Sequence, residues 1–285
     1  MKFNEAQEQA IRHIDGPCLV LAGPGSGKTA VITDRTRYLI EEAGIHPANI
    51  LVVTFTKAAA MEMQERFRTK MQGANVPCTF GTFHSIFFWI LRRAYGYTGN
   101  QIVSEEEKRK ILTELVQKME LEYEDEEEFI QNLIGEITLV KSEYMPIEHY
   151  YSTTCGEAEF RQLYQSYQER IQSEGKLDFD DMLVYTYELL KERPDICRQW
   201  QEKFQYILID EFQDINHIQY EIVRMLSGDR KNLFVVGDDD QSIYQFRGAR
   251  PEIMLGFTKD YPEAEVILLN VNYRSSREIV EGSLR

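Results

Sequence analysis

Cys18-Leu19-Val20-Leu21-Ala22-Gly23-Pro24-Gly25-Ser26-Gly27-Lys28-Thr29 is the stretch that decides the fold. Its first five residues are an unbroken apolar run, the pattern of a parallel strand buried on both faces. A glycine-rich turn follows, and from Thr29 to Ala43 the apolar residues take helical spacing. Ala22–Thr29 therefore stands where a Walker A loop must stand, between a strand and the helix it opens. Glycines let successive backbone N–H groups face one anion at the positive end of the helix dipole. In that geometry Gly23, Gly25, Ser26 and Gly27 cradle phosphate, Lys28 reaches the β- and γ-phosphates of ATP, and the Thr29 hydroxyl is a ligand for Mg²⁺.

Further buried-strand candidates are Ile50–Thr54, Tyr206–Asp210, Leu233–Gly237 and Val266–Leu269. An alanine-rich helix is predicted from Lys57. Strands alternating with helices predict an α/β fold with a parallel sheet. From about Ser104 to Gly175 the pattern is helical, with charged faces. The expected organisation is a discontinuous domain, residues 1–103 and 176–285, interrupted by a helical insertion over residues 104–175. Ile207-Leu208-Ile209-Asp210-Glu211 ends a strand in two carboxylates. Beside a Walker A loop, Asp210 is the expected Mg²⁺ ligand and Glu211 the group that orients and deprotonates the attacking water.

The 285 residues carry 47 acidic and 32 basic side chains, a formal net charge of −15. That argues against coating nucleic acid by bulk charge. The charge is uneven, however. Ser104–Glu143 holds 13 acidic and 5 basic residues, and Glu120–Glu128 has seven acids in nine positions, a pattern read as a solvated loop between helices. Thr54–Arg93 is instead net positive, with six basic residues against Glu62 and Glu65, so a local field for phosphates remains available. The four cysteines lack metal spacing and read as buried thiols. The amino-terminal residues lack a signal-peptide profile and no apolar run is long enough to span a membrane, so a soluble, cytoplasmic protein without membrane contact is expected.

Several strings then narrow the class. Asp210-Glu211-Phe212-Gln213-Asp214 resembles motif II of the superfamily 1 DNA helicases of the UvrD/PcrA/Rep group. Val236–Ala249 resembles their motif III, and Asn272-Tyr273-Arg274-Ser275 their motif IV. Phe3-Asn4-Glu5-Ala6-Gln7 resembles the adenine-reading Q motif, Thr54-Phe55-Thr56 motif Ia, and Gly81-Thr82-Phe83-His84 motif Ib; Leu177–Asp181 matches a further element. The motifs run in family order over residues 3 to 276.

The resemblance implies a RecA-like P-loop domain and roles at the matching positions. Gln7 would read adenine, Tyr273 would stack on it, Arg274 would touch the γ-phosphate and Arg66 would contact the nucleotide. Gln241 would sense the γ-phosphate. Phe55, Phe179, Tyr244 and Phe246 would stack on single-stranded DNA, with His84 and Arg247 meeting its backbone or bases. Base–aromatic stacking is sequence-tolerant, which suits a motor that must pass any sequence.

The implied function is the N-terminal motor domain of an ATP-dependent 3′→5′ DNA helicase acting on single-stranded DNA or a single-strand/duplex junction. The family's second motor domain is expected to be missing from this chain, which alone would hydrolyse ATP weakly and not unwind. The alternative is a truncated non-motor paralogue that holds nucleotide or single-stranded DNA as an interaction module. In either case the acidic insertion would offer a surface to a protein partner.

Overall fold

The computed structural model describes residues 2–238 and 250–273. Among them, six strands form one sheet in the order β3-β2-β4-β5-β1-β6, every neighbouring pair parallel. The strands are β1 (Cys18–Ala22), β2 (Ile50–Thr54), β3 (Thr79–Thr82), β4 (Tyr206–Ile209), β5 (Leu233–Gly237) and β6 (Glu265–Leu269). The chain is thus α/β with a parallel sheet, as the apolar runs predict, and consistent with the RecA-like domain that the resemblance implies.

Alternation along the strands sorts their side chains into two cores. Leu19, Leu51, Val53, Ile207, Ile209 and Val235 face one layer, made by α4 (Phe83–Tyr95), α8 (Phe179–Glu192), α9 (Pro194–Lys203), α10 (His217–Ser227) and α11 (Pro251–Asp260). Cys18, Val20, Val52, Leu208, Phe234 and Val236 face the other, made by α1 (Glu5–Arg12), α2 (Lys28–Glu41) and α3 (Lys57–Lys70). Cys18, Cys78 and Cys197 are buried as expected, while Cys155 is half-buried.

The segment between β3 and β4 is helical. Its helices α5 (Glu105–Lys118), α6 (Glu126–Ser142) and α7 (Glu157–Ser173) enclose an apolar cluster of their own, including Leu112, Leu133, Ile137, Phe160 and Leu163. The chain enters and leaves this cluster side by side. Val103 N–H donates to Leu177 O at 2.9 Å, and Leu177 N–H donates to Gln101 O at 2.9 Å. Across the same junction the Arg250 guanidinium grips both oxygens of Glu143, at 2.9 and 2.5 Å.

Two expectations need correction. β3 was not foreseen: it has four residues, lies at the sheet edge and contains Gly81, so it lacks the long apolar run that marks a buried strand. Nor is Glu120–Glu128 all loop. Glu126, Glu127 and Glu128 form the first turn of α6, capped by Asp125, whose side chain accepts from Glu128 N–H at 3.0 Å. Acids in a first turn are stabilised by the helix dipole. No helix among the described residues is long and apolar enough to cross a membrane.

Candidate nucleotide site and aromatic surface

In an open parallel sheet, ligands bind beyond the carboxyl ends of the strands. β5 lies between β1 and β4. The loop after β1, the carboxylates after β4 and Asp238 after β5 therefore converge at one edge.

The loop is held from both sides. Asn4 caps α1: its Oδ1 accepts from Gln7 N–H at 2.8 Å, and Gln7 Oε1 accepts from Asn4 N–H at 3.1 Å. The buried Gln7 then donates from Nε2 to Ser26 O at 2.9 Å. On the other side Tyr273 N–H donates to Gly25 O at 2.9 Å, and the Tyr273 hydroxyl accepts from Asn4 Nδ2 at 2.7 Å. Gly27, at φ +88°, turns the loop into α2, and a Cβ there would lie 3.1 Å from Gln7 Nε2. Glycine is needed both for the left-handed backbone and for the close approach of Gln7. Gln7, Gly25, Ser26, Gly27 and Tyr273 thus form one assembly, with Tyr273 51% exposed beside the loop. Gly23 closes it below, its N–H donating to Leu269 O at 3.3 Å.

Lys28, the first residue of α2, lies 3.2 Å from Glu211 Oε2 and 3.9 Å from Asp238 Oδ2. Thr29 follows it, half-buried. Asp210 is buried, and its Oδ1 accepts from Glu211 N–H at 3.1 Å. Glu211 adopts a left-handed φ of +53°, a backbone cost for a non-glycine residue of the kind that collects at working sites. Gln213 joins the two strand ends: its Nε2 donates to Glu211 Oε2 at 3.0 Å, and its Oε1 accepts from Asp238 N–H at 3.0 Å.

The electrostatics are set by carboxylates crowded together out of water. Burial, then the neighbouring Glu211, push the Asp210 carboxyl up to about 7 against the pull of Lys28. The same causes push Asp214 up to about 6. Two buried polar atoms here, Ser26 Oγ and Asp214 Oδ1, have no hydrogen-bond partner among the described residues. No group of three or more His, Cys, Asp or Glu that could hold a metal exists among the described residues. Magnesium does not need one, because it takes one or two carboxylates and completes its shell with phosphates and water. The hard oxygens of Asp210 and Thr29 fit that demand.

A carboxylate whose pKa is raised by folding costs stability once it ionises. For Asp210 the cost is absent below its unfolded value near 4, grows as pH rises toward 7 and is constant above. Asp210→Asn should therefore raise the stability of the ligand-free chain at pH 8 by about 2 kcal/mol, within the ~1.4 kcal/mol per pKa unit that linkage allows. The gain should shrink at pH 5. Denaturant melts at the two pH values test this; an equal gain at both, or a loss at pH 8, contradicts it.

Arg66 is already engaged on its own helix. It pairs with Glu62 one turn earlier on the exposed face of α3. Gln241, Tyr244, Phe246, Arg247 and Arg274 lie outside the described residues. Gln213, Asp214 and Asn4 carry no role in the sequence-based expectation, although the D-E-x-Q-D string holds two of them.

Three of the expected DNA-facing residues lie in aromatic pairs around the start of α4. Phe55, after β2, meets Phe83 edge-on at 5.1 Å. His84, beside Phe83 on the first turn of α4, meets Phe179 edge-on at 5.7 Å. Phe55 is half-buried and Phe179 is 42% exposed. Burial pushes the His84 imidazole down, against the pull of Asp180 and Asp178, so neutral pH leaves it uncharged and a hydrogen-bonding group.

Comparison with known proteins agrees with this geometry. The family described as UvrD/REP helicase N-terminal domain matches residues 3–262. The YjcD protein of Bacillus subtilis (strain 168) is 42% identical over 288 residues, covering 99% of this chain and 38% of its own length. The ATP-dependent DNA helicase Rep of Escherichia coli (strain K12) is 37% identical, covering 99% of this chain and 43% of its own length. The ATP-dependent DNA helicase PcrA of Staphylococcus aureus (strain Mu50 / ATCC 700699) is 37% identical, with 99% and 39% covered. The chain therefore spans about two fifths of the length of the curated relatives it matches. With a matching fold, loop and strand-end carboxylates, the chain belongs to the UvrD/REP helicase N-terminal domain family.

Proposed function

We propose that these residues bind Mg²⁺-ATP at the strand ends and single-stranded DNA, or its junction with duplex, along the Phe55–His84–Phe179 surface, as the ATP-binding motor domain of a 3′→5′ DNA helicase. The observation that carries the nucleotide half is the convergence on Lys28 of Glu211 and Asp238, beside a buried Ser26 Oγ that has no partner among the described residues. Lys28 is held ready for an anion by weak, exchangeable partners. The β- and γ-phosphates would displace them, and the freed Glu211, 40% exposed, would accept a proton from the attacking water. Ser26 Oγ and the loop N–H groups would donate to phosphate oxygens. Mg²⁺, held by Asp210 and Thr29, would neutralise charge that develops on those oxygens.

Gln7 keeps one N–H and one lone pair beyond those it uses, the complement that adenine presents at N7 and N6. Tyr273 would stack on the base, with Arg274, Gln241 and Arg66 as further nucleotide contacts. Tyr244, Phe246 and Arg247 would extend the DNA surface. Strand separation is assigned to the whole motor of which these residues are one part.

Titrating the chain with a fluorescent ATP analogue should give saturable binding that needs Mg²⁺ and is lost in EDTA. The absence of saturation up to millimolar analogue, with Mg²⁺ present, would sink the nucleotide assignment.

A further inference from the structure

At the base of the helical insertion, two lysines are buried where apolar residues would join the pieces at least as well. Lys141 of α6 lies 2.8 Å from Asp178 Oδ2 and 2.8 Å from Asp181 Oδ1. Lys108 of α5 lies 2.8 Å from Asp180 Oδ2 and 3.3 Å from Asp178 Oδ2. The lysines and the flanking aspartates Asp178 and Asp181 are almost wholly removed from water. Their remaining lone pairs are used: the Tyr167 hydroxyl donates to Asp178 Oδ2 at 2.9 Å, and Thr138 Oγ1 donates to Asp180 Oδ2 at 2.8 Å. Buried ion pairs are poor sources of stability compared with well-packed apolar residues.

The fixed element is one turn. Asp178 caps α8, its Oδ1 accepting from Asp181 N–H at 2.8 Å while Asp181 Oδ2 accepts from Asp178 N–H at 3.0 Å. Leu177, before the cap, is bonded on both sides to the chain at Gln101 and Val103. Leu177, Asp178, Asp180 and Asp181 are thus tied down by backbone or side-chain bonds, and Phe179 among them stands 42% exposed, its ring edge-on to His84.

We infer that Lys108 and Lys141 are positioning residues: from the insertion, they lock the turn that presents Phe179, so that the ring is pre-set to stack on a base of single-stranded DNA. The inference rests on the reading of Phe179 as a DNA-stacking residue. It makes the insertion the anchor of the stacking surface, in addition to any partner its acidic face takes.

The test uses charge-balanced pairs, Lys141→Met with Asp181→Asn and Lys108→Met with Asp180→Asn, each of which removes one charge of either sign and leaves Asp178 its other lysine. The probe is an oligothymidylate carrying one 2-aminopurine, whose fluorescence is quenched on stacking; the fluorescent ATP analogue reports the integrity of the nucleotide site. Phe179→Ala should weaken oligonucleotide binding about tenfold and reduce the quench, in line with stacking energies for one base. Each double variant should show the same loss with analogue binding unchanged. Adding Phe179→Ala to either should cost little more, because the ring has already lost its pre-set position. Double variants that bind and quench like wild type while Phe179→Ala does not, or losses that multiply, overturn the inference. A Phe179→Ala protein indistinguishable from wild type overturns the stacking reading itself, and the inference with it.

Discussion

Lys28→Ala should weaken Mg²⁺-ATP-analogue binding at least a hundredfold while leaving the chain folded. The side chain is 12% exposed and stands among four carboxylates, Asp210, Glu211, Asp214 and Asp238. Its removal deletes a charge-assisted contact to phosphate, worth about 1.5–3 kcal/mol by itself. It also leaves those carboxylates facing a polyanion with no cation between them. Each ~1.4 kcal/mol is a factor of ten in affinity, so two or more orders of magnitude follow.

The fold should survive, because Lys28 pairs at the mouth of the site and not within either core. Without it, Asp210 and Asp214 lose the group that holds their pKa values down and take up protons more readily. That relieves repulsion in the ligand-free state. Lys28→Arg should not restore full affinity, since a planar fork does not replace a compact ammonium in a tight loop. Equilibrium titration of both variants beside wild type decides the matter; a Lys28→Ala protein within threefold of wild type would remove Lys28 from the phosphate site.

The same loop shows how far local pattern reaches. An apolar run, three glycines and a helical repeat are short-range signals, and the structure has β1, the turn and α2 where they predict, to within two residues. Asp210 and Glu211 were legible for the same reason, as charges ending a buried strand. Gln213 was not, because its work is to bridge two strands that are distant in sequence and adjacent in the sheet. Gln7 was legible only in part: its position pointed to adenine, but its bond to Ser26 O depends on where α1 packs.

The insertion marks the limit more sharply. Its helices carry many charges, and a charged helical face ordinarily reads as solvated. Lys108 and Lys141 look no different in sequence from Lys110 or Lys118. They are buried because Asp178, Asp180 and Asp181, 37 to 72 residues later, come back to meet them. Periodicity marks the helix but does not reveal which of its charges has a distant partner. The Leu177–Asp181 string was recognised as one piece, yet only the ion pairs show why three aspartates surround one phenylalanine.

Those ion pairs set the second large effect. Lys141→Met should destabilise the chain by about 3–5 kcal/mol at pH 8, the range for breaking one side of a buried pair. The loss arises less from the missing attraction than from Asp178 and Asp181, left ionised and out of water. Lys141 and Lys108 hold the Asp178 carboxyl well below its usual range against strong desolvation, whereas burial and the adjacent Asp178 push Asp181 up to about 6.

The signs differ accordingly. Asp178 contributes stability above its unfolded pKa near 4, lost as pH falls through its much lower folded value. Asp181 imposes a cost that grows as pH rises from about 4 to about 6. Deleting Lys141 raises both pKa values, so each aspartate can escape its predicament by taking a proton. The deficit of Lys141→Met should therefore be largest at pH 8 and narrow toward pH 5. Adding Asp181→Asn removes one stranded charge without removing the cap, since the asparagine oxygen still accepts from Asp178 N–H; it should recover more than half of the loss at pH 8. Denaturant melts of wild type, single and double variants at both pH values measure each of these differences. A single variant as stable as wild type, or a deficit that widens on acidification, would mean that the two aspartates are not charged and paired as the structure has them.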